Sequence, residues 1–371
     1  MAAEDQPGYL FLSLLQAKVG SSFLSRLGQR PVRILLESEP DQVCRELRMT
    51  EKAARAFSEL RQGFDADVIL DRLENAGVRV VTLGDEGYPE RLRQTPDPPP
   101  ALYVRGEIPG GARVAVVGSR KATPAALQTA RDLGRALAAR GVAVVSGLAA
   151  GIDAAAHEGA LDGSGETVGV LGCGIDVVYP RSNRELFGRV AAAGTIVSEY
   201  SLGEAPLAWR FPARNRIIAG LSDVVVVVEA PEKSGALITA RHALDANRDV
   251  WAVPGPVGSI QCVGSNRLLA DGAGVLWSLE EFAHSVSGGS EEDAEQTAPR
   301  AQGAELDEPP GLPEEEAAVL RGVDLRSVGA DVVAGRTGVE MRAVLSALAM
   351  LEIKGYVARD AAGNFTRKAF T

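Results

Sequence analysis

The stretch Trp209-Arg-Phe-Pro-Ala-Arg214-Asn-Arg216 brings three arginines, an asparagine and two aromatic rings together. A guanidinium makes paired hydrogen bonds to a phosphate, and an aromatic face stacks on a base. Together they grip single-stranded nucleic acid without strict readout of its sequence. Arg210, Phe211, Arg214, Asn215 and Arg216 are therefore candidate contacts. Two other readings stay open. Arg214 and Arg216 can pair with interior acids such as Asp153 or Glu229, because buried charges are normally paired. Trp209 or Phe211 equally suits a core.

A second constellation lies in glycine-bearing turns. Gly118-Ser119-Arg120-Lys121 directly follows the apolar run Val114–Val117. Ser146-Gly147-Leu-Ala-Ala-Gly151-Ile-Asp153 follows Val142–Val145, and Gly172-Cys-Gly174 follows Val168–Leu171. Lys233-Ser234-Gly235-Ala236, with Thr239 beyond it, comes after Val224–Val228. Glycine lets a backbone approach a phosphate, and a helix N-terminus adds N–H donors and a positive dipole. One such turn alone is weak evidence, because a tight turn with no ligand uses the same glycines. Several of them at the ends of neighbouring strands imply an anionic ligand, and a turn by itself has no need of Arg120.

Catalysis has no comparable handle. Asp153 and His157 stand at i, i+4 on an expected helix, but Asp153 suits acceptance of N–H groups at the helix start and His157 suits a packed interior. The chain holds no Ser-His-Asp arrangement, no HExxH and no GxxxxGK[ST], and GSRKAT is not GxGxxG. Three cysteines, none in a CxxC pair, and three histidines argue against a disulfide framework or a metal centre. No catalytic residue, metal or cofactor is expected.

These turns need a scaffold that gathers them along one edge. From residue 112 onward, β-branched apolar runs alternate with amphipathic helices. The runs are Val114–Val117, Val142–Val145, Val168–Leu171, Thr195–Val197, Val224–Val228 and Val250–Val253. Short, nearly all-apolar strands are buried on both faces, which means a parallel sheet. The alternation predicts an α/β fold with a Rossmann-like, mostly parallel, doubly wound sheet, whose ligands bind beyond the strand C-termini. Thr123, Pro124 and Gly141 suit the N-cap, N1 and C′ positions of one connecting helix. The α/β domain is expected over 79–285, after a small helical domain at 1–78 in which Thr50 caps a helix reaching Arg61.

Residues 286–313 are poor in large apolar groups and read as an acidic disordered linker. A compact tail over 314–371 shows three helices, Glu314–Arg321, Val328–Ala334 and a Thr337-capped Gly338–Lys354. A hairpin signal at Asp360–Gly363 follows, so the order is that of a winged helix. The net charge is −10, but residues 287–318 hold ten acids and one base, Arg300. The rest of the chain is nearly neutral, and the linker's field is screened beyond about 8 Å. The overall charge therefore does not exclude a nucleic-acid partner. The first charges are the acids Glu4 and Asp5, and no apolar run approaches bilayer length. Neither a secretory signal nor membrane insertion is expected, and the cytoplasm is the expected location.

Six segments carry a resemblance. They are Val117-Gly-Ser-Arg120, Ser146–Asp153 with Ala156-His157, Gly172–Pro180, Phe211–Leu221, Lys233–Thr239 and Val253-Pro-Gly-Pro256, in that order. The set resembles the DNA processing protein A (DprA, or Smf) family over roughly residues 80–280, with weaker likeness in the flanks. The resemblance implies that the N-terminal domain is of a SAM or helix–hairpin–helix kind. It implies a protein that is not an enzyme, binds single-stranded DNA, loads RecA recombinase onto it during natural transformation, acts as a homodimer and has single-stranded DNA-binding protein as a further partner. Ser119, Arg120, Arg210, Phe211 and Asn215 are its foremost DNA contacts.

Two alternatives stand beside this. Nucleotide phosphoribohydrolases share the sheet but carry Pro-Gly-Gly-x-Gly-Thr, where this chain reads Ala230-Pro-Glu-Lys-Ser-Gly-Ala. A transcription regulator would act through the winged helix, but residues 319–371 hold eight bases against five acids, a modest footprint for duplex binding. A protein-interaction or dimer-stabilising tail fits equally well.

Overall fold

The structure, a computed structural model, describes residues 5–20, 23–288, 312–323, 328–359 and 364–367. The chain divides into two compact units, Met1–Ala294 and Glu295–Thr371. Most of the acidic linker and the hairpin turn Asp360–Gly363 lie outside the described residues.

The first unit is built on one nine-stranded sheet. Its strands are β1 (Arg79–Thr82), β2 (Ala101–Arg105), β3 (Arg113–Val117), β4 (Ala143–Ser146), β5 (Thr167–Leu171), β6 (Thr195–Ser198), β7 (Val224–Val227), β8 (Asp249–Ala252) and β9 (Gly274–Val275). Their spatial order is β1-β2-β6-β5-β4-β3-β7-β8-β9. Every neighbouring pair from β6 to β9 is parallel, while β1–β2 and β2–β6 are antiparallel. The chain winds outward from β3 to β6, then starts again on the other side of β3 at β7. The crevice between β3 and β7 is thus the point where the winding reverses.

The period of two along β3 explains the double winding. Val114 and Val116 face one core with helices Pro124–Ala138, Ile152–Asp162 and Leu279–Val286. Ala115 and Val117 face the other, with Arg210–Leu221 and Gly235–Asp245. Thr123 accepts the Ala126 N–H at 3.3 Å and caps Pro124–Ala138, and Gly141 takes φ +67°. Thr50 likewise caps Glu51–Gln62 by accepting the Ala53 N–H.

Three features depart from the sequence reading. The pieces flanking the proline cluster join the main sheet as its antiparallel edge, and the cluster is anchored where the Tyr88 hydroxyl donates to the Pro99 carbonyl at 2.8 Å. A ninth strand, β9, has only two residues and no pattern to betray it. In the second unit the last helix is Met341–Ile353, not Gly338–Lys354. Thr337 ends the preceding helix, Ala330–Thr337, because Gly338 at φ +70° supplies its left-handed C-terminal residue. That unit has its own core, from Val319, Leu320, Val333, Val344, Leu348, Leu351, Val357 and Phe365.

The N-terminal helices pack as part of the first unit. Leu10, Leu73 and Val78 share a core with Tyr103, Leu171 and Ile196 of the sheet. Phe11, Leu15, Phe23, Leu35 and Phe57 form an adjoining helical core.

Candidate nucleic-acid interface

The turns after β3 and β4 interlock. The Ser119 N–H donates to the Glu229 carbonyl at 2.7 Å, and the Ile152 N–H donates to the Ser119 carbonyl at 3.2 Å. Gly151 stands at φ +84°, where a Cβ would lie 2.2 Å from the Ser119 carbonyl oxygen. No other residue fits there. Ser119 is buried, and its hydroxyl accepts the Lys121 N–H at 3.1 Å. Its side chain therefore shapes the turn, and Arg120 and Lys121 are left exposed on its crest.

Arg120 reaches over the ring of Phe211, its guanidinium carbon 5.6 Å from the centroid. Phe211 lies on Gly172, where a Cβ would meet the ring at 2.9 Å. The Tyr179 ring sits 4.9 Å from Phe211, tilted by 33°. Tyr179 is followed by a cis proline and the 3-10 turn Arg181–Asn183. Asn183 ties that turn to the second glycine loop by donating to the Leu148 carbonyl at 3.0 Å. Arg181 and Arg184 are exposed beside it. The result is a ledge: a guanidinium, two adjoining aromatic faces and further cations along one rim of the sheet. Tyr179 and Arg181 were missed as site residues from sequence. The signal available was an aromatic-Pro-Arg step just past a glycine turn, outside any helical or strand period.

On the far side of β3, Ser234 caps helix Gly235–Asp245 by accepting the Ala236 N–H at 3.2 Å. Lys233 and Gly235 are exposed, while Thr239 is buried. Asn215, buried, donates to the Gly235 carbonyl at 3.1 Å and so joins this loop to helix Arg210–Leu221.

The structure turns the three arginines of the first constellation inward. Arg214 is buried; it donates to the carbonyls of Gly147, at 2.9 Å, and Val170, and to the Asn215 side chain at 3.2 Å. Gly147 is squeezed between Arg214 and Asp153, since a Cβ would lie 2.6 and 2.7 Å from them. Burial pushes the Asp153 carboxyl up and the Arg214 guanidinium down, and their mutual attraction opposes both shifts. Arg216 pairs with Glu199 at 2.7 Å and Asp97 at 3.1 Å. Arg210 is 3% exposed, pairs with Glu204 at 2.8 Å and donates to the Ala17 carbonyl at 2.9 Å, and lies 4.3 Å from the Tyr200 ring centroid. It fastens the end of helix Gln6–Val19 to the sheet unit. Ser146 donates to the Val116 carbonyl at 2.6 Å, and Gly174 donates to the Glu204 carbonyl at 2.8 Å; both are buried. These residues hold the rim in shape. Gly118 and Gly151 are half-buried within it.

The Asp153–His157 pair is interior. Asp153 accepts the Gly147 N–H at 3.1 Å, and His157 Nδ1 lies 2.7 Å from the Thr167 hydroxyl. Burial pushes His157 down to about 3, with Arg214 a smaller cause. In the unfolded chain a histidine titrates near 6.5. The folded value is the lower one, so the unfolded chain takes the proton first and stability falls as pH drops from about 6.5 toward 3. Acidification to about pH 5 costs roughly 2 kcal/mol from this group. Urea unfolding of wild type and His157→Asn at pH 7.5 and 5 checks this. The wild-type advantage is expected to shrink by about that amount, and an unchanged difference would remove His157 from the acid response.

Among the described residues no group of three His, Cys, Asp or Glu could hold a metal ion, and no helix is long and apolar enough to cross a membrane.

Comparison with known proteins gives two family matches. The model of "DNA recombination-mediator protein A" matches residues 79–287, and that of "DprA winged helix domain" matches 303–363. Protein Smf of Synechocystis sp. is 43% identical over 226 residues, which cover 58% of this chain and 56% of that relative. The chain thus spans little more than half of that relative's length. The X-ray structure of DNA processing protein A from Streptococcus pneumoniae superposes with TM-score 0.66 at 32% identity, covering 75% of this chain and 98% of that one. DNA processing protein A from Helicobacter pylori, whose structure concerns its single-stranded DNA binding mode, superposes with TM-score 0.51 at 33% identity, covering 56% and 95%.

Proposed function

Since the chain belongs to the DNA recombination-mediator protein A (DprA/Smf) family, we propose that it binds single-stranded DNA along the Arg120–Phe211–Tyr179 ledge. In this reading it protects incoming strands and loads RecA on them during natural transformation, acting in the cytoplasm as a homodimer and meeting single-stranded DNA-binding protein on the same strands. The observation that carries the reading is the guanidinium of Arg120 beside two adjoining aromatic faces. Backbone charge and base stacking are the two terms that single-strand binding combines. The H. pylori relative, a single-stranded DNA binder, supports it.

In this proposal Arg120, Lys121 and Lys233 meet phosphates, with Arg181 added to them. Phe211 and Tyr179 meet bases. Gly118, Ser119, Ser146, Gly147, Gly151, Gly174, Asn215, Ser234, Gly235 and Thr239 form the turns beneath, and Arg210, Arg214 and Arg216 brace them from inside. No residue is assigned a catalytic role.

The two classes of contact separate by salt. Phe211→Ala and Tyr179→Ala are each expected to weaken oligothymidine binding about 5- to 100-fold, the worth of one stacked base, with the salt slope unchanged. Lys121→Ala and Lys233→Ala are expected to weaken it less and to flatten the slope by about 0.7 each. Fluorescence anisotropy across a salt series reads both. Full affinity in Phe211→Ala and Tyr179→Ala would sink the stacking half of the reading.

A further inference from the structure

Helix Met341–Ile353 holds the place of the element that a winged helix lays into a duplex groove. Its outer face has the wrong chemistry for that task. Val344, Ala347, Leu348 and Leu351 are buried in the unit's core. Outward stand Met341, Leu345, Met350 and Ile353, exposed by 40, 50, 42 and 79%. Arg342 and Glu352 are the charges on this face, one of each sign, and both are exposed. Met341, Leu345, Ala349 and Ile353 recur every fourth residue and so form one stripe. A duplex reader presents cations to phosphates, whereas a solvent-exposed apolar stripe marks a contact with protein.

We propose that this face packs antiparallel against the same helix of a second copy of the chain. The face is complementary to its own reversal. About a two-fold axis through position 347, Met341 meets Ile353, Leu345 meets Ala349, and Arg342 meets Glu352 of the other copy. A large residue opposite a small one lets helix axes approach to about 8–10 Å. Two Arg–Glu pairs then flank an apolar centre. A parallel arrangement would instead set Arg342 on Arg342 and Glu352 on Glu352. Neither residue has an ion pair among the described residues of its own unit. A thirteen-residue helix is about 20 Å long, so the patch is small and the association weak. The pairing does not depend on the DNA reading of the ledge.

Sedimentation velocity on the full chain, between about 1 and 100 µM, tests it. The wild-type weight-average mass is expected to rise through a step that Leu345→Asp abolishes. Arg342→Glu and Glu352→Arg each turn both cross-pairs repulsive and are expected to lower the association constant roughly tenfold. The double variant Arg342→Glu/Glu352→Arg is expected to restore it. Within one helix these positions are about 15 Å apart, so only a pairing between copies produces the rescue. All the substituted positions are exposed, and thermal unfolding of each variant confirms an intact core. A mass indifferent to Leu345→Asp, as a different protein partner would give, overturns the proposal. So does a double variant no better than the singles. Loss of duplex retention by Arg342→Glu with unchanged mass also overturns it and makes the face a DNA reader.

Discussion

Arg120→Ala is expected to weaken binding of oligothymidine by about 10- to 100-fold, the cost of one lost charge-assisted contact. The residue stands exposed on a turn fixed beneath by Ser119 and Gly151, so truncation leaves the fold alone. It also lies over Phe211, so its removal loosens the ring that would receive a base. The slope of log affinity against log salt should fall by about 0.7, the share of one phosphate on a single strand. Arg120→Lys separates charge from geometry. It should keep the slope and recover only part of the affinity, because an ammonium cannot make the planar two-point contact. Anisotropy titrations at several salt concentrations measure all three proteins. An Arg120→Ala protein with wild-type affinity and slope would place the interface somewhere other than the ledge.

The largest effect on stability is expected from Arg214→Met. The guanidinium is buried, bonded to Gly147, Val170 and Asn215, and faces Asp153 across Gly147. Its removal leaves three acceptors and a carboxylate buried without their partner, which costs about 3–5 kcal/mol. For a unit of this size that is a fall in Tm of roughly 10 °C. Asp153→Asn in the same chain should recover part of it, since the uncompensated charge is gone while the lost hydrogen bonds remain. Thermal unfolding without DNA is the measurement. A variant that keeps its Tm but loses single-strand binding would make Arg214 a ligand contact, contrary to the bracing role its burial gives it.

The sheet was legible because its signals are local. A β-branched run such as Val224–Val228 has one use in a mixed chain, and Thr123-Pro124 with Gly141 bounds a helix within a residue or two. The turns of the rim were legible for the same reason, since several glycine-bearing segments each directly follow an apolar run. What was not legible was the direction of the arginines. Arg210 and Arg214 lie one helical turn apart and share a face, but nothing nearby in sequence says that it is the inner face. Their partners are Ala17, Glu204, Gly147 and Asp153, of which Ala17 is 193 positions from Arg210. Interior acids such as Asp153 or Glu229 were readable as partners for Arg214 and Arg216. Asp153 is such a partner for Arg214, while Arg216 took Glu199 and Asp97 and not Glu229. Tyr179 escaped because it sits in an irregular loop, and only the fold sets its ring beside Phe211.

Glu229 has another employment, at the crevice where the winding reverses. It is 2% exposed; its carboxylate accepts the Thr123 N–H at 3.1 Å and the Thr123 hydroxyl at 2.6 Å, at the mouth of helix Pro124–Ala138. In a nucleotide-binding sheet of this winding, that mouth is where a phosphate sits. Here a carboxylate tethered to the chain occupies the seat. A free mononucleotide would have to displace it and strand a buried anion, a penalty of several kcal/mol that a single phosphate contact does not return. The chain thus carries its own occupant of that helix mouth. On the proposed reading a long strand would avoid that seat by lying across the rim outside the crevice, where many weak contacts add. Free nucleotides and a bound strand would then not contend for the same atoms.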